Sequence, residues 1–176
     1  MKYTKVSSLQ SALAVLAAAF AVLMLAPQET RAAAWKGLEP FVSKRADVER
    51  VLGKPTADRL AIDGTLRFDL PDGAVTVSFV TPKFIAARKL SSALEGTVLQ
   101  IVVQHAASTA TPESLNLVNN PDFEKVASGP THVYTNPKDG IYYTFVESRL
   151  KTTRYSYSAE QLRTSKAPTA EVKTPL

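Results

Sequence analysis

Hydrophobic and polar positions divide the chain into three regimes. From Ser11 to Ala26 the residues are uncharged and almost wholly apolar, with no polar face. From Trp35 to about Tyr157, short apolar runs are separated by Gly, Pro, Asn and Asp. From Ala159 onward polar residues prevail, with Pro168 and Pro175, and the composition predicts a disordered tail over residues 159–176.

The middle regime reads as one domain over residues 35–158. Val48, Val51 and Leu52 recur at i, i+3, i+4 and predict a helix over Ser43–Leu52. Ser43 is placed as its N-cap, Asp47 and Glu49 suit the positive end of the helix dipole, and Gly53 followed by Pro55 ends it. So short a helix needs a sheet to pack on.

Beyond this helix the domain is mostly strand. Thr65–Leu70 and Ala74–Val80 flank the turn Pro71-Asp72-Gly73, and Val75, Val77 and Phe79 alternate with Thr76 and Ser78 as in a half-buried strand. Thr97–Gln104 is the most apolar run and is placed at the centre of the sheet. Between them Thr81–Glu95 is read as a short helix or a mobile flap. Pro112–Val118 suggests one or two helical turns, and Phe123–Ala127 a short strand. His132–Thr135, Ile141–Val146 and Leu150–Tyr157 then form a meander. The segments 66–80 and 132–146 echo one another, each with an aromatic residue before a Pro-containing Asp-Gly turn and each ending in Phe-Val. The expected fold class is therefore α+β: mainly antiparallel sheet, a short helix on one face, and possible division into two similar αβ units.

The first regime changes the picture of where the protein works. Lys2 and Lys5 precede the apolar run of about 16 residues, which is short of a membrane span, and Ala32-Ala33-Ala34 supplies a small-x-small cleavage signal. Residues 1–34 thus read as a cleavable signal peptide with the scissile bond before Trp35, and the expected location is periplasmic or extracellular. The alternative is an uncleaved anchor in the inner membrane. With no cysteine in the chain, neither a lipid anchor nor a disulfide is expected. The formal charge of +5 falls to +3 once Lys2, Lys5, Arg31 and Glu29 leave with the signal. The remaining basic residues are scattered, so no nucleic-acid partner is expected.

Candidate chemistry is sparse. His105 and His132 are the two histidines, and a metal site would need both together with carboxylates. Asp69 and Asp72 flank a turn where aspartate is favoured for backbone reasons, and no Gly-x-Ser-x-Gly elbow or phosphate-cradling loop occurs. No catalytic, cofactor-binding or metal-binding residue is assigned, and no cofactor is expected. The aromatic strands and the long basic connection are more suggestive: Lys83, Phe84, Arg88, Lys89, Tyr142, Tyr155 and Tyr157 form the candidate interaction surface.

Trp35, Gly37, Leu38, Pro40, Ser43, Arg45, Asp47, Val48, Glu49, Leu52, Gly53 and Pro55 spell W-x-G-[IL]-x-P, S-x-R-x-D-V-E and L-G-x-P. This resembles the opening of a group of uncharacterised bacterial secreted proteins. The helix ending in V-x-x-x-L-G-x-P before a β-meander is more distantly similar to outer-membrane assembly lipoproteins of the SmpA/OmlA type, which implies a β-lactamase-inhibitor-like fold. The function expected is a non-enzymatic module that binds a protein partner of the cell envelope. The alternatives are a small-ligand or glycan binder and, behind both, an enzyme of unrecognised type.

Overall fold

The computed structural model describes residues 32–167. Residues 1–31 of the expected signal peptide and residues 168–176 of the expected tail lie outside the described residues. Ala32 is buried, and the Ala33 N–H donates to the Asp139 carbonyl at 2.8 Å.

Eight strands make one antiparallel sheet: β1 (Ala57–Arg59), β2 (Thr65–Leu70), β3 (Gly73–Phe79), β4 (Val98–His105), β5 (Glu124–Ser128), β6 (Thr131–Asn136), β7 (Ile141–Val146) and β8 (Arg149–Ser156). Among the described residues four short α-helices accompany them, α1 (Arg45–Leu52), α2 (Leu60–Asp63), α3 (Pro82–Arg88) and α4 (Ala159–Thr164), with a 3₁₀ turn at Ser92–Leu94. The architecture is α+β, as the pattern of apolar residues requires.

The strand order is β1-β2-β3-β4-β8-β7-β6-β5. Two four-stranded meanders therefore meet at one seam, where Ile101 lies opposite Tyr155 and Val103 opposite Thr153. The hairpins β2–β3 and β6–β7 hold equivalent places in the two meanders, so the sequence echo corresponds to a repeat of topology. It does not preserve register. Leu70 and Gly73 enclose two turn residues, whereas Asn136 and Ile141 enclose four. The units also differ in the segment that precedes them. The first comes after α1; the second comes after a loop of turns, in which the Leu117 N–H donates to the Pro112 carbonyl at 2.9 Å and no helix forms.

One face of the sheet carries two apolar clusters side by side. Val48 of α1 and Leu38 pack with Leu66, Phe68, Val75, Val77, Ile101 and Val103 under the first meander. Leu117 of the loop packs with Tyr134, Phe145 and Leu150 under the second. A third cluster, Phe41, Val80 and Leu90, gathers Phe84, Tyr157 and Leu162 about it.

Local details depart from the sequence pattern for identifiable reasons. Ser43 is not the N-cap of α1. Its hydroxyl is buried and accepts the Glu39 N–H at 2.9 Å, while Lys44 occupies the cap and donates its N–H to the Asp47 carboxylate at 2.9 Å. Val51 is exposed, so Val48 and Leu52 alone face the core. The Thr81–Glu95 connection is a helix pinned in place. Thr81 caps α3 by accepting the Phe84 N–H at 3.2 Å, and the segment after α4 bonds it through Ser91 N–H to the Ser165 carbonyl at 2.9 Å. The expected tail does not begin at Ala159, because Ser158 and Gln161 form a reciprocal capping box that starts α4.

Candidate interaction surface

The seven residues proposed from sequence do not form one surface. Phe84 and Tyr157 do come together, with ring centroids 6.0 Å apart, but as packing around the third cluster. Lys83, Arg88 and Lys89 are exposed on the outer side of α3 and its end. The Arg88 carbonyl accepts the Lys166 ammonium at 2.8 Å, so the carboxy-terminal segment occupies part of that side. Tyr155 lies on the core face, half-buried beside Ile101, and burial raises its phenol above the ordinary value.

Tyr142 points the other way. Successive cross-strand partners Arg67, Thr76, Val102, Arg154, Tyr142, Thr135 and Glu124 run as one row across seven strands on the face opposite the clusters. No residue of that row is buried. The Arg154 guanidinium sits 3.8 Å from the Tyr142 ring centroid, a cation–π contact that covers the ring.

Nor do the polar candidates converge. The His105 Nε2 lies 2.9 Å from the Thr153 hydroxyl at the end of β4, and burial lowers the imidazole below its ordinary pKa. His132 lines a different cleft with Lys125 and Tyr134. Asp72 borders the His105 cleft, while Asp69 stands on the open face 3.5 Å from Arg67, both side chains exposed. Among the described residues no group of three His, Asp or Glu side chains could hold a metal ion. No helix of the described residues is long and apolar enough to cross a membrane.

Two features escaped the sequence pattern. The first is β5. Strands in an antiparallel sheet ordinarily bury one face, yet all five residues of Glu124–Ser128 are exposed, Val126 to 62%. β5 is also the outermost strand, so among the described residues the backbone groups on its outer side have no strand beside them. The opposite edge is protected: β1 has only three residues, and its Asp58 is held by Arg45 of α1 at 2.8 Å. In sequence, β5 was visible only as a weak strand, because Glu124 and Lys125 interrupt any apolar alternation.

The second is a cleft of about 370 Å³ between the 112–120 loop and the β5–β6 hairpin, floored by Phe123 and Tyr134. Lys125 lies 5.6 Å over the Tyr134 ring at its border. Asn119 and Ser148, which also line it, both adopt the left-handed conformation, at φ 61° and 59°. Two asparagines and a serine in polar stretches are a poor signal for such a cleft before the fold is known.

No family model and no curated protein matches the chain. Among solved structures, the crystal structure of a DUF4309 family protein (YjgB) from Bacillus subtilis is similar at a TM-score of 0.48 and 13% identity, over 70% of this chain and 84% of that one. A likeness at that level assigns nothing to any residue here.

Proposed function

We propose that the chain is an exported, non-enzymatic module of the cell envelope that binds a protein partner by accepting a strand of that partner along β5. The observation that carries this reading is the exposure of all five β5 residues at a sheet edge that no strand pairs among the described residues. An extended peptide gains main-chain hydrogen bonds along such an edge, and alternate side chains then give selectivity. Glu124 and Lys125 discourage indiscriminate pairing, so a partner strand with complementary charges is favoured over a random one. The leader pattern of residues 1–34 supports export, and the dispersal of His105, His132, Asp69 and Asp72 supports a role without catalysis.

The test compares tagged, naturally exported protein with a Val126→Lys variant by affinity capture and mass spectrometry. Val126 contributes to no apolar cluster among the described residues, so the variant is expected to fold. A reproducible envelope protein retained by the parent and lost from Val126→Lys supports the reading. Capture that is equal in both, or absent from both, overturns it.

A further inference from the structure

We propose that the cleft between the 112–120 loop and the β5–β6 hairpin is a binding site for a small uncharged polyhydroxylated ring, a neutral sugar. This goes beyond the edge-pairing reading and does not depend on it.

The dimensions suit one small ligand. About 370 Å³ lies at the lower end of the range of ligand sites. The floor offers ring surface: Phe123 is half-buried and lies 5.9 Å from Tyr143, so it is held by packing while still lining the cleft. An aromatic face of this kind takes up the C–H side of a ring.

The walls offer hydrogen bonding of both kinds. Glu113 accepts, Lys125 donates, and Asn119, Ser148 and His132 each do both. A hydroxyl is itself donor and acceptor, so a mixed set serves a polyol better than it serves an ion. Glu113 and Lys125 also balance one another in charge, which leaves no net attraction for an anion or a cation. The carboxylate of Glu113 is held below its ordinary range, first by its own backbone N–H and then by Thr111, with Lys125 assisting, so it is present as an acceptor at neutral pH.

The loop is braced by one of the side chains that line the cleft, Asn120. The Asn120 amide donates to the Asn116 carbonyl at 3.2 Å and its oxygen accepts the Asp122 N–H at 3.0 Å. By contrast, the side chains of Asn119 and Ser148 make no hydrogen bond among the described residues, although both backbones are held at positive φ. Uncommitted polar groups on backbones fixed by turns, both lining one cleft, are what a pre-organised site requires.

The experiment is a two-dimensional amide NMR titration of the exported mature chain. Its probes are the methyl pyranosides of glucose, galactose and mannose and N-acetylglucosamine, with glucuronate and glucosamine as charged counterparts. The expected result is saturable shifts at Asn119, Phe123, Lys125 and Ser148 with at least one neutral sugar and weaker response to the charged ones. Asn119→Gly and Ser148→Gly keep the left-handed backbone, so each should retain its melting temperature while weakening binding roughly tenfold, about 1.4 kcal/mol. No saturable cleft shift with any neutral sugar, tighter binding of a charged counterpart, or shifts confined elsewhere would overturn the proposal. No partner protein enters the titration, so its failure leaves the β5 reading standing, and loss of partner capture leaves the sugar site standing.

Discussion

Tyr157 stacks on Phe41 with ring centroids 4.8 Å apart and planes 14° from parallel. The pair joins the residue just beyond β8 to the turn before α1, and Phe84 of α3 closes on the same ring. Tyr157 thus acts in packing. Tyr157→Ala is expected to cost roughly 2–4 kcal/mol, combining lost burial with the aromatic pair, whereas Tyr157→Phe should be near neutral. Urea unfolding of both variants checks this; a cost below half a kcal/mol for Tyr157→Ala would mean that the stack does not hold the two ends together.

The helix α1 offers an internal comparison. Val48 is fully buried, Leu52 only partly, and Val51 is 37% exposed. Val48→Ala should cost roughly 2 kcal/mol and Val51→Ala a few tenths at most. Leu52→Ala should fall at or below the lower end of the roughly 2–5 kcal/mol typical of a buried leucine. Denaturation that ranks Val51 above Val48 would mean the helix is rotated from its described face.

Gly73 and Gly140 share a constraint in the two meanders. Each has positive φ, and a Cβ at either would land on a backbone carbonyl, that of Gln104 in β4 or that of Ser156 in β8. Gly37 and Gly53 also have positive φ but open space around them. Gly73→Ala and Gly140→Ala should therefore lower the melting temperature clearly more than Gly37→Ala or Gly53→Ala. Equal losses in all four would show that steric approach adds nothing to the backbone conformation.

His105 makes stability depend on pH. Burial lowers its folded-state pKa below the ordinary 6.5, so between the two values the unfolded chain binds the extra proton. Stability is then fully present above the unfolded value and declines as pH falls through it toward the folded value, with no further change from this group below that. Urea unfolding at a series of pH values should show this decline, and His105→Gln should flatten it. An unchanged slope in the variant assigns the dependence to another group.

Much of the fold was legible because the sheet alternates. Val75, Val77 and Phe79 are all buried as the period-two pattern requires, and the turn residues Pro71-Asp72 and Pro137–Gly140 separate strands where expected. The seam was not legible: β4 pairs with β8 across the whole second meander, and no local pattern encodes that choice. Helix α4 did carry a signal, the Ser158-x-x-Gln161 capping box, but the polar composition around it pointed to a tail. The interaction residues were misgrouped for a different reason. Strand periodicity puts Tyr142 and Tyr143 on opposite faces, yet it does not say that Arg154 covers Tyr142 or that Phe41, distant in sequence, covers Tyr157. The exposed edge of β5 and the sugar-sized cleft depend on strand order and loop path, which emerge only when the chain is folded.

The most direct test of the β5 reading is site-specific photo-crosslinking in living cells, with the photoreactive residue placed at Val126 in β5 or at Ile62 in α2. Both positions are exposed, Ile62 to 76%, so neither substitution disturbs a core, and Ile62 lies near the protected edge. A discrete protein adduct from Val126 and none from Ile62 is the expected result. No adduct at Val126, or the same adduct with equal yield at both positions, would contradict it.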